Sequence, residues 1–165
     1  GYNGRHEWFW EPGDEKHIYP LEELMHMYYN SVGHNSTLII GLTPDPRGLL
    51  PEADVKRLEE WGAAIKKNFS EPIAFTSAKG KEIFLSLKNP QTIKNIVLQE
   101  DISQGQRVRA YSIQTLIDGE WKIIAEGESI GHKRIHLIEP LEVLKLRLEI
   151  QQSILPPIIE QFSVY

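Results

Sequence analysis

The run Ser36-Thr37-Leu38-Ile39-Ile40-Gly41-Leu42 constrains the fold more than any other feature of the chain. It is short, β-rich and almost wholly apolar, which is the pattern of a strand buried on both faces of a parallel sheet. Helical patterns flank it. Upstream, Leu21, Leu24, Met25, Tyr28 and Val32 recur at spacings of three and four, predicting an amphipathic helix that begins after Pro20 and ends at Gly33. Downstream, Val55, Leu58, Trp61, Gly62 and Ile65 repeat that period over residues 53–69, with Glu and Lys on the remaining faces. Residues 43–52 hold three prolines and a glycine, so they form a loop. A helix–strand–helix unit with a loop after the strand is half of the repeat of an α/β barrel or a doubly wound sheet. A parallel strand needs parallel neighbours, and only one is present here. The expectation is therefore that about seven further barrel strands precede Gly1 and that residues 1–70 are not a domain by themselves.

Pro72 marks a change of texture. Beyond it no helical period is sustained, and β runs recur at residues 83–87, 93–99, 108–116, 121–126, 133–138, 144–150 and 159–164. Short strands at roughly 8–12-residue spacing predict an antiparallel β-sandwich over residues 71–165. Polar and apolar positions alternate from Val108 to Leu116, and Asp118-Gly119 is a dipeptide suited to a tight hairpin. Trp121 lies where a strand would bury it and is assigned to the core.

With 41% hydrophobic and 25% charged residues, the chain can build a packed core. A formal net charge of -5 argues against nucleic acid and anionic membranes, which call for clustered Lys and Arg, so neither partner is expected. The absence of cysteine removes disulfides, thiolate nucleophiles and Cys-ligated zinc, and leaves the compartment open.

The most distinctive local feature is His6-Glu7-Trp8-Phe9-Trp10-Glu11-Pro12. Sugar rings stack their apolar C–H patches on aromatic faces while their hydroxyls seek carboxylates and imidazoles, and this segment offers all three. The same rings could equally plug a barrel rim. A zinc helix of the His-Glu-x-x-His kind fails because the fifth position is Trp10, and the other histidines show no ligand spacing; no metal and no cofactor are expected. Glu7, Glu11, Asp14 and Glu15 crowd the same region. A pair of carboxyls is what glycoside hydrolysis needs, but acidic residues also suit the positive end of a following helix. Residues 100–107 gather acid, amide and base groups suited either to sugar hydroxyls or to a contact with the first segment.

At Tyr28-Tyr29-Asn30-Ser31-Val32-Gly33-His34-Asn35-Ser36-Thr37-Leu38-Ile39-Ile40 and Thr43-Pro44-Asp45-Pro46-Arg47-Gly48-Leu49 the chain resembles the closing stretch of the catalytic barrel of α-L-fucosidases of glycoside hydrolase family 29. A Ser-x-Gly-x-Asn motif there enters the last barrel strand, and a Pro-Asp-x-x-Gly loop leads to the final helix. Gly41 stands where family members often have Asn. The stretch from Val97 to Val108, Gly119-Glu120-Trp121-Lys122 and Gly131-His132-Lys133-Arg134-Ile135 resemble the family's C-terminal sandwich, a jelly roll of the discoidin or galactose-binding-like type. The resemblance implies the last βα units of a TIM-like barrel over 1–70 and an accessory all-β sandwich over 71–165. It implies an exo-acting, retaining enzyme acting on a fucosylated glycan, exported from the cell, whose Asp nucleophile and Glu acid/base precede Gly1. No catalytic residue is then expected in this chain, with Glu7 and Glu11 in reserve because the acid/base moves between subfamilies. Trp8, Phe9, Trp10 and His6 are the expected substrate-binding residues, and the rest of the barrel is the expected partner. The chain alone is expected to be inactive; the alternative is a non-catalytic carbohydrate-binding or structural β-sandwich.

Overall fold

The computed structural model describes Gly4 and residues 8–165. They divide into two compact units, one made of the residues up to Tyr28 with Thr37–Ser70, the other of Tyr29–Ser36 with Glu71–Tyr165.

Helix α1 spans Leu21–Ser31 and α2 spans Glu52–Phe69. In each a proline stands just before the first turn, and its carbonyl accepts an early helical N–H: Leu24 N–H to Pro20 at 3.2 Å, Val55 N–H to Pro51 at 3.1 Å. Glu22 and Glu23 in α1, and Glu52 and Asp54 in α2, face the positive ends of the helix dipoles, while Lys66 and Lys67 complement the C-terminus of α2. In the first unit Tyr28 meets Phe69 at a ring-centroid distance of 6.0 Å, and the Arg57 guanidinium donates to the Tyr19 carbonyl at 2.5 Å and to Glu60 at 2.9 Å.

Residues 36–42 correct the sequence reading. They form no strand, and Ile39 is 87% exposed. The physical reason is the one that made the run so constraining: a strand is held by a neighbour's backbone, and among the described residues none pairs with it. Two helices of the expected α/β unit are present; its parallel strand is not.

The second unit is built on antiparallel strands β1 (Ala74–Lys79), β2 (Glu82–Glu100), β3 (Val108–Ile117), β4 (Glu120–Gly127), β5 (Arg134–Ser153) and β6 (Ile158–Val164). Their order is β1-β6-β2-β5-β3-β4. The ladder between β2 and β5 slips twice, between Ser86 and Gln91 and between Ile93 and Asn95, where Pro90 and Pro140 lack an N–H to donate. Each long strand therefore serves two ladders: residues 82–86 and 145–149 continue into β3 and β4, whereas residues 95–100 continue into β6 and β1. The sheet packs on itself as a sandwich. Between its faces Ile96, Leu98, Ile113, Leu146, Leu148 and Phe162 are wholly buried. All seven β runs read from the sequence lie in these strands, two in β2 and two in β5. Asp118 and Gly119, with φ of 54° and 82°, make the two-residue hairpin loop that joins β3 to β4. Strand β1 was not legible in the sequence, because apart from Phe75 its residues are small or polar.

Candidate functional site

The aromatic segment lies in the first unit. Trp8 and Phe9 are 83% and 80% exposed, and Trp10 is half-buried. Leaving two large rings in water forgoes burial worth about 2 kcal/mol each, so their exposure is a feature to explain. The turn immediately C-terminal to the rings is fixed: Asp14, only 3% exposed, accepts the Glu11 N–H on Oδ2 at 3.0 Å and donates its own N–H to the Glu11 carbonyl at 3.2 Å. This closed turn leads into a short 3-10 helix, Asp14–His17. The Asp14 carboxylate is thus engaged in holding the loop, which removes it from the carboxylates available for chemistry. Glu15 lies in the first turn of the 3-10 helix, and Glu11 is exposed. His6 and Glu7 lie outside the described residues.

The Pro44-Asp45-Pro46-Arg47-Gly48 loop owes its shape to Asp45. Its Oδ1 accepts the Arg47 N–H at 2.8 Å, and Oδ2 accepts from the Arg47 guanidinium at 3.0 and 2.7 Å. The Asp45 N–H donates to the Leu49 carbonyl, and Gly48 takes a φ of 77° to close the turn. The Arg47 guanidinium holds the Asp45 carboxyl below its usual pKa.

The second unit uses its polar loop residues internally. Both carboxylate oxygens of Glu100 are occupied by backbone: Oε1 accepts the N–H groups of Arg107 and Val108 at 2.9 and 3.1 Å, and Oε2 that of Gly131 at 2.9 Å. Asp101 accepts the Ser103 N–H, and its carboxyl is lowered by that partnership with Ser103. Gln106 accepts from the Asn35 amide at 3.1 Å, while Asn35 Oδ1 accepts the His132 N–H at 2.7 Å. Asn35 stands at φ 62°, a left-handed conformation that Asn tolerates, and its N–H donates to the Lys133 carbonyl. Residues 100–107 therefore bond to Asn35 and to one another.

Two clusters had no signal in the sequence. Tyr111 and His136, 25 residues apart, meet at 2.8 Å between the phenol oxygen and Nε2. Burial pushes the Tyr111 phenol up to about 12 and the His136 imidazole down to about 4, with the Arg134 charge opposing the first shift and adding to the second. Trp121, assigned to the core from sequence, is half-buried instead: its ring lies 4.7 Å from the Arg147 guanidinium and 6.0 Å from the Phe84 ring. Arg147 also binds Gln114 and Glu82. Planar cation and ring stabilise each other there, which a hydrophobic count cannot foresee. Among the described residues, no group of three or more His, Asp or Glu side chains gathers as a metal site requires.

No protein-family model matches the chain. It is 24% identical over 96% of its length to Alpha-L-fucosidase 1 of Arabidopsis thaliana, and it spans 38% of that protein. Among solved structures, a candidate α-L-fucosidase from Bacteroides thetaiotaomicron superposes with a TM-score of 0.95 at 50% identity, covering 99% of this chain and 38% of that one. A Ruminococcus gnavus fucosidase of glycoside hydrolase family 29, solved with fucose, gives 0.80 at 25% identity over 96% of this chain and 39% of its own.

Proposed function

From the premise that this chain is a relative of the glycoside hydrolase family 29 α-L-fucosidases, matching about 38% of their length with almost all of its own, we propose that it is the C-terminal part of an exo-acting, retaining α-L-fucosidase. Residues 1–70 are the closing units of a (β/α)8 barrel and residues 71–165 an accessory sandwich of the galactose-binding-like type. The apolar run over residues 36–42 supports this assignment, because its exposed Ile39 needs the neighbouring strands that a barrel provides.

In this reading the nucleophile and the acid/base belong to the part of the enzyme absent from this sequence. An Asp attacks the anomeric carbon as a Glu protonates the leaving oxygen; the same Glu then activates the water that releases fucose. This chain contributes the sugar platform. Trp8, Phe9 and Trp10 offer flat apolar faces to the C–H side of the ring, and their exposure is the observation that carries the assignment. Fucose, with its methyl group and one continuous apolar edge, gains more from such faces than a fully hydroxylated hexose.

The test is an aryl α-L-fucoside assay on the longer gene product with Trp8→Ala, Phe9→Ala and Trp10→Ala. At least one variant should raise KM with kcat largely retained, the signature of lost ring stacking. Three variants with wild-type kinetics would remove the platform from these residues.

A further inference from the structure

Residues 134–137 of β5 pair with β2 along one side, and β3 joins β5 only at residues 146–153. The other side of that first half is taken by residues 33–35. The Asn35 N–H donates to the Lys133 carbonyl and the Ile135 N–H to the Gly33 carbonyl, both at 2.9 Å, with His34 bridging antiparallel to Arg134. These residues thus fold with the sandwich, in the unit that joins Tyr29–Ser36 to Glu71–Tyr165.

Backbone pairing is only part of the hold. The Asn35 side chain is a two-sided clip: Nδ2 donates to Gln106 Oε1 at 3.1 Å, and Oδ1 accepts the His132 N–H at 2.7 Å. Asn35 stands at φ 62° and Gly131 at φ 60°, and a side chain on Gly131 would overlap the Asn35 amide. A Cβ added at Gly33 would lie 3.0 Å from Ile135 Cβ and closer still to the Tyr29 carbonyl, so this approach to β5 is open to glycine alone. Two loops of the sandwich are shaped around one amide.

The run that follows cannot choose its own register. Side chains alternate between the faces of a strand, so a slip of one residue exchanges Leu38, Ile40 and Leu42 for Thr37, Ile39 and Gly41. With Leu38 and Ile40 on one face and Ile39 on the other, both faces are apolar and burial discriminates weakly between the two settings. A fixed starting residue does discriminate. We propose that Asn35 is a positioning residue through which the sandwich sets the register of the 36–42 strand in the longer enzyme. This rests on the barrel reading of residues 36–42 given above; the clip itself does not. The sandwich is then required for an ordered barrel rather than appended to it.

Hydrogen exchange of the longer gene product, read over residues 36–42, 132–135 and 146–150, tests it. Asn35→Gly keeps the left-handed conformation and removes both side-chain bonds, whereas Asn35→Asp keeps an acceptor for the His132 N–H. The wild type should be protected over all three segments. Asn35→Gly should exchange about tenfold faster over 36–42 and 132–135, with 146–150 unchanged. On an aryl α-L-fucoside it should lower kcat at constant KM, because molecules in the wrong register are inactive and the rest are normal. Asn35→Asp should restore most of both. Wild-type exchange over 36–42, or wild-type kcat, in Asn35→Gly would overturn this inference alone, as would equal acceleration over 146–150, the mark of general destabilisation. A wild type unprotected over 36–42 would remove the barrel strand and this inference with it. A protected protein without fucosidase activity counts against the fucosidase reading only, and exchange over 36–42 then decides the register.

Discussion

Acidification should destabilise the sandwich through one histidine. His136 is held neutral in the folded chain, its pKa lowered from 6.5 to about 4 first by burial and then by the charge of Arg134 and the neighbouring His34. In the unfolded chain the same imidazole takes a proton below about pH 6.5. Between these values the unfolded state binds more protons, so stability falls as pH drops from 6.5 toward 4 and is present in full above 6.5. At about 1.36 kcal/mol per pH unit the span corresponds to roughly 3 kcal/mol. Tyr111 sits opposite, its hydroxyl 2.8 Å from Nε2. His136→Gln keeps a side-chain amide, donor and acceptor both, for that hydroxyl and removes the titration. Urea unfolding of both proteins near neutral pH and near pH 4, followed by far-UV circular dichroism, separates this group from the carboxylates, which titrate in both. The wild type should lose roughly 3 kcal/mol more than the variant. Equal losses would show that the pair does not couple to folding and refute the reasoning.

Leu148, wholly buried between the sheets, should cost about 2–5 kcal/mol when changed to Ala, read as a lower urea midpoint with unchanged slope. Glu100→Gln places an amide donor against one of three backbone N–H groups and should lower stability by about 2 kcal/mol at neutral pH, read from the same urea titration. Trp8→Ala, removing a ring that is 83% exposed, should change the unfolding free energy by less than ~0.5 kcal/mol, so a kinetic effect in the longer enzyme reports on sugar contact rather than folding.

The local states were legible in the sequence because periodicity is local. The spacing of Leu21, Leu24, Met25 and Tyr28 marks α1, and the Asp118-Gly119 dipeptide marks the β3–β4 hairpin. Partnership was not legible. The run over residues 36–42 has the composition of a strand but takes that form only beside other strands. The runs at 83–87 and 93–99, and at 133–138 and 144–150, read as separate strands, yet β2 and β5 carry on past Pro90 and Pro140 through irregular ladders because residues on either side find partners. Trp121 left the core for a guanidinium that the sequence places 26 positions away, and Tyr111 found His136 across two strands. The aromatic segment of the candidate site was conspicuous in composition.

As proposed, this chain supplies the end of a fucosidase barrel and a sugar platform, with the acid–base pair elsewhere in the enzyme. Side-by-side turnover of an aryl α-L-fucoside by the 165-residue chain and by the longer gene product tests that division most directly. Hydrolysis with retention is expected of the longer protein and none of the chain alone. Turnover by the chain at the rate of the longer protein, or a longer protein without fucosidase activity, would contradict it.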